Sequence, residues 1–124
     1  STLPGGDERI LLVSRDAEVC SSLQQILESL GYSVTTADSI ASVAEEPADG
    51  PAPDLVIYER SGNTERAERN WLASLGDAGH AVRQIALLQA GADAATSAPD
   101  ADGHICRPVA VLELARTVRR VLEA

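Results

Sequence analysis

Pro53-Asp54-Leu55-Val56-Ile57-Tyr58-Glu59 decides the fold. Its apolar centre is β-branched and aromatic, it is bounded by Pro and Asp, and it ends in one acidic side chain. An uninterrupted apolar run of this length reads as a strand buried on both faces, which is the mark of a parallel sheet. The closing Glu59 is then delivered to the C-terminal edge of that sheet, where ligands and reactive groups collect in open α/β folds.

Working outward, Ile10-Leu11-Leu12-Val13 is a second short apolar strand. Asp16 follows as the N-cap of a helix with Val19, Leu23, Ile26, Leu27 and Leu30 at helical spacing, and Gly31 stops it. Tyr32 to Ala37 alternates as a strand, Asp38 or Ser39 caps a short helix through Ala44, and Pro47 to Pro53 is a loop. Beyond Glu59, Glu65 to Leu75 reads as a helix with Trp71, Leu72 and Leu75 on one side, and Ile85 to Leu88 as a strand.

From Gly91 to Gly103 there is no apolar stripe, which predicts a loop or at most a short helix. Ile105 to Arg107 makes the last strand, and Pro108 opens a final helix with Val111, Leu112, Ala115, Val118 and Leu122 inward. Five strands alternating with helices predict a doubly wound, five-stranded parallel sheet covered on both faces.

The 124 residues fit one domain, read as 9–124 behind a linker or tag remnant at 1–8 that includes Leu3-Pro4-Gly5-Gly6. With no Phe, no Met, one Trp and two Tyr, its core must be Val, Leu, Ile and Ala. A net charge of −9 opposes nucleic acid and anionic membrane as partners and favours proteins. No run approaches the length of a membrane span and no signal-peptide pattern opens the chain, so a cytoplasmic domain is expected. Cys20 and Cys106 lack metal-type or redox spacing and are read as reduced core residues. Neither a nucleotide loop nor a hydrolase or metalloprotease motif is present, so no enzymatic activity, cofactor or metal is expected.

The strand order together with Ile10-Leu11-Leu12-Val13, Leu30-Gly31-Tyr32, Pro53-Asp54-Leu55-Val56 and Arg107-Pro108 resembles the receiver domain of response regulators, the CheY-like, flavodoxin-like fold, over Arg9 to Glu123. In that family an aspartate after the third strand takes a phosphoryl group from a histidine kinase. Mg²⁺, an acidic pair after the first strand, a Ser/Thr after the fourth and a Lys after the fifth assist it. The resemblance sets Ser14 and Arg15 at the acidic pair, Glu59 at the phosphoacceptor, Gln89 at the Ser/Thr and Arg107 at the lysine. His104 falls at the aromatic switch position. The interval from Gln89 to Arg107 is about four residues short, roughly one helical turn, which implies a fourth helix shortened or missing.

Each assisting residue is altered. Mg²⁺ takes hard oxygen ligands, which Arg15 does not supply. A guanidinium held about 5 Å from a dication would be repelled by roughly 7 kcal/mol at an effective dielectric near 20. Glu59 is a methylene longer than aspartate and carries less charge than a phosphorylated side chain. These changes predict a degenerate pseudo-receiver that interacts with proteins independently of phosphorylation. Its expected partners are a histidine kinase, an output domain or a second copy, and its expected parent a hybrid kinase or larger regulator. Glu59 is expected to pair with Arg107, and with Arg15 as a second candidate.

Two alternatives stay open: a true phosphoacceptor working through Ser61 or a metal at Asp16, and an anion sensor using the vacated pocket beside Arg15 and Arg107. Arg116, Arg119 and Arg120 complement the dipole of the final helix or meet an acidic partner.

Overall fold

The computed structural model describes residues 5–37, 53–59, 82–88, 102–106 and 109–123. The expected helices at Ser39–Ala44 and Glu65–Leu75, most of the Pro47–Pro53 loop and the shortened fourth helix lie outside the described residues.

β3 (Leu55–Glu59) runs through the middle of the sheet with Leu55, Val56, Ile57 and Tyr58 buried. β1 (Arg9–Val13) lies on one side of it and β4 (Arg83–Leu88) on the other. β2 (Ser33–Ala37) and β5 (Gly103–Cys106) form the edges, so the order is β2-β1-β3-β4-β5, parallel throughout. The order turns back at β1, which is the switch point of a doubly wound sheet.

Side-chain alternation divides the strands between two faces. Ile10, Leu12, Leu55, Ile57, Ile85, Leu87 and Ile105 join Leu23 and Leu27 of α1 (Ala17–Ser29) and Leu114, Val118 and Val121 of α2 (Val111–Glu123) in one core. Leu11, Val13, Val56, Tyr58, Ala86 and Leu88 point the other way and are buried too. With both faces buried, β1, β3 and β4 need no polar residue until their ends, which is why each carries a continuous apolar run, whereas the edge strands hold Thr35, Thr36 and His104. Full burial of each such aliphatic side chain contributes roughly 1.5–3 kcal/mol.

α1 begins and ends as its sequence dictates. Asp16 is the N-cap and accepts the N–H of Glu18 at 3.0 Å and of Val19 at 3.4 Å. At the other end Tyr32 N–H donates to Leu27 C=O and Gly31 N–H to Glu28 C=O, the paired bonds of a Schellman cap. Gly31 takes φ +103°, a left-handed backbone that favours glycine.

Two aspartates fasten the opposite edge. Asp54 accepts Arg9 N–H on its carboxylate and donates its own N–H to Arg9 C=O. Asp102 does the same with Gln84.

Several expectations are corrected. Val111 and Leu112 are 43% and 44% exposed, and the inward stripe of α2 is Leu114, Ala115, Thr117, Val118 and Val121. Leu114, Val118 and Val121 keep the three-to-four spacing while Val111 and Leu112 sit in the first turn, short of the sheet. Cys106 is exposed because it closes β5, whereas Cys20 is half-buried and packs on the core; both are free thiols. β5 starts at Gly103, earlier than expected, because Gly103 already pairs with Ile85; α2 passes so close there that a Cβ would meet Val121 Cγ2 at 2.8 Å. Among the described residues no helix is long and apolar enough to cross a membrane.

Candidate functional site

The register pairs Val13 with Tyr58, so the next residues, Ser14 and Glu59, leave neighbouring strands side by side at the C-terminal edge of the sheet. Ser14 extends the ladder beyond β1 by donating its N–H to Ala37 C=O at 3.1 Å, and it is buried. Its position is therefore set by main chain before its side chain makes any contact.

Ser14 Oγ donates to Glu59 Oε2 at 2.6 Å. The same oxygen accepts Asp16 N–H at 3.1 Å, so the single hydroxyl proton is the one shared with Glu59. The short O···O separation is that of a strong hydroxyl–carboxyl hydrogen bond. Asp16 in turn holds two N–H groups at the start of α1 on its Oδ1. A chain of hydrogen bonds thus runs from the end of β3 through Ser14 to the first turn of α1. Behind it, Cys20 Sγ–H reaches Ser14 C=O at 3.5 Å.

Of the residues singled out in the sequence, Ser14 and Glu59 are brought together, and Arg15 beside them is exposed, forming no ion pair with Glu59 among the described residues. His104 lies half-buried on β5, opposite Ala86. Gln89 and Arg107 lie outside the described residues, and so does the expected Glu59–Arg107 pair. The sequence reading does not include the Ser14–Glu59 bond, which depends on the β1–β3 register across 45 positions.

Arg119 departs from the reading that grouped it with Arg116 and Arg120. Those two are exposed, whereas Arg119 is half-buried and ion-paired with Glu8 at 2.8 Å and with Glu123 at 2.9 Å. The Arg119 guanidinium holds the Glu8 carboxyl below the usual carboxylate range, and Glu8 raises the Arg119 pKa in return.

Among the described residues, the side chains at the sheet edge are not a ready Mg²⁺ donor set. Glu59 is engaged by the Ser14 hydroxyl, the Asp16 carboxylate is committed to the α1 amides, and a cation occupies position 15. Among the described residues no three His, Cys, Asp or Glu side chains cluster as a metal would need.

Neither a protein-family profile nor a curated protein sequence matches the chain. Solved structures do. The response regulator receiver protein of Burkholderia phymatum is similar over 94% of this chain and 96% of its own, at 23% identity and TM-score 0.74. The signal receiver domain of a signal transduction histidine kinase from Syntrophus aciditrophicus matches 94% of this chain and 90% of its own, at 22% identity and TM-score 0.73. NtrX from Brucella abortus matches over 95% of this chain and 27% of its own length, at 19% identity and TM-score 0.78. At these identities the likeness speaks to architecture, and the strand order agrees with it: this chain has the receiver-domain fold.

Proposed function

We propose that this chain is a regulatory, protein-binding receiver-type domain of two-component signalling that neither accepts nor hydrolyses a phosphoryl group and is not an enzyme. The observation that carries this reading is the 2.6 Å bond from Ser14 Oγ to Glu59 Oε2. Phosphoryl transfer needs a carboxylate free to attack and cations to neutralise the charge that develops. Here Oε2 of the carboxylate already accepts the Ser14 hydroxyl, and a hydroxyl and a guanidinium stand where the metal-gathering acids of the resembled family would be.

In this reading the hydrogen bond replaces the covalent switch. Glu59 carries one negative charge against about −1.5 to −2 for a phosphorylated side chain, so it imitates the modified state in part and permanently. A fixed state suits a domain whose signal is the presence of a partner. The charge of −9 and the likeness to a histidine kinase's receiver domain support protein partners in the cytoplasm: a kinase, an output domain or a second copy.

The test is incubation with acetyl phosphate and Mg²⁺ followed by intact-mass measurement. The expected result is an unchanged mass. A gain of one phosphoryl group, lost in Glu59→Gln, overturns the reading.

A further inference from the structure

Glu8 and Arg119 lie 111 positions apart in sequence and meet through both arms of the guanidinium, Nη1 to Oε1 at 3.0 Å and Nη2 to Oε2 at 2.8 Å. Arg119 Nη1 also donates to Gly5 C=O at 3.2 Å and reaches Tyr32 Oη at 3.5 Å, and Nε donates to Glu123 at 2.9 Å. One side chain thereby joins the residues ahead of β1, the turn between α1 and β2, and the last turn of α2.

The backbone of the same segment is fitted as closely. Gly6 N–H donates to Leu30 C=O at 3.3 Å, and Glu8 C=O accepts Ser33 N–H at 3.1 Å. A Cβ on Gly5 would collide with Leu30 C=O, and one on Gly6 with the Glu8 carboxylate and the Arg119 guanidinium. The space beside Gly31 where a side chain would start is filled by Gly6 C=O. Three glycines therefore permit one close approach, which a freely moving lead-in would not require.

We infer that Gly5–Glu8 is a strap latched by Arg119, which makes these four residues move as one body with the C-terminal turn of α2. A displacement of that turn carries the strap with it, and withdrawal of the guanidinium releases the strap without disturbing the sheet. The bidentate fork is what gives the latch its direction, since a lysine supplies a point charge and cannot hold Glu8 and Gly5 C=O in one plane. The device is independent of the chemistry at Glu59.

Amide hydrogen exchange followed by NMR on the intact chain tests it, with Gly6 N–H as the reporter and Ile10–Val13 and Leu55–Tyr58 as the core reference. Gly6 is expected to exchange at least roughly tenfold more slowly than in an unstructured peptide, and Arg119→Ala to remove that protection while the core stays protected. Glu8→Gln, which keeps the side chain's size, is expected to speed Gly6 exchange with the fold intact, and Arg119→Lys to fall between. Free exchange at Gly6 in the unmodified chain, or protection unchanged in Glu8→Gln, overturns the latch.

Discussion

Ser14 Oγ and Glu59 Oε2 are 2.6 Å apart, so the residue after β1 and the residue ending β3 are joined by a hydrogen bond where the resembled family keeps a metal-bound acceptor. The bond satisfies both partners at once. A buried hydroxyl needs an acceptor, and a carboxylate at a sheet edge gains from a fixed donor.

Ser14→Ala removes the donor to Glu59 and the acceptor of Asp16 N–H together. Leaving a part-buried polar group unmatched costs about 1–3 kcal/mol, so urea unfolding should show a loss in that range with an unchanged m-value. Glu59→Gln keeps an oxygen acceptor and should lose less, about 1 kcal/mol, the difference between a charged and a neutral acceptor. No measurable loss in either variant would show that the hydroxyl matters only by filling space.

The substitution pattern also predicts how chemistry is restored. Replacing Ser14, Arg15 and Glu59 together by aspartate removes the guanidinium and places three carboxylates at one sheet edge, a donor set suited to Mg²⁺. The triple variant should bind Mg²⁺ in isothermal titration calorimetry, with the unmodified chain giving no comparable heat. Failure of the triple variant to bind would mean that the backbone at this edge, rather than its side chains, prevents metal binding.

How far the sequence could be read depended on where each residue's neighbours come from. The apolar strands, the Asp16 cap and the Gly31 stop are local, because burial on both faces, an N-cap carboxylate and a left-handed turn act within a few positions. The receiver order followed from these. On α2 the expected Ala115 and Val118 are buried and Leu122 packs on the core, whereas Val111 and Leu112, as apolar as Leu114, are exposed in the first turn, and only tertiary packing separates them. For Cys106 the composition favours burial, and its place at the end of β5 exposes it. At the site, the resemblance located Ser14 and Glu59, but that one bonds the other rests on the β1–β3 register, a long-range pairing that local sequence does not set.

The register of α2 has its own test. Leu114 is fully buried in the core, so Leu114→Ala should cost about 2–5 kcal/mol, the range for a truncated aliphatic side chain that leaves a cavity. Leu112→Ala, at a largely exposed position in the same helix, should change stability by no more than about 0.5 kcal/mol. The two variants make the same substitution two positions apart. Similar losses for both would reverse the assignment of the buried face.

Stability against pH should fall at both ends for reasons found around Arg119. The bond from Arg119 keeps Glu8 below its ordinary pKa, so its contribution is present above the unfolded carboxylate range near 4.3 and is lost as pH falls through the lower folded value. Burial raises the Tyr32 phenol, with Arg119 opposing in part. Its contribution is therefore present below the unfolded value of about 10 and is lost as pH rises through the higher folded one. Urea melts from about pH 3 to about pH 11 should give a plateau with two declining limbs. Tyr32→Phe keeps the ring in its buried place and removes the titrating group, so it should flatten the alkaline limb and leave the acid limb alone. Glu8→Gln should do the reverse. An alkaline limb of unchanged slope in Tyr32→Phe would place the titration elsewhere and remove the phenol from the account.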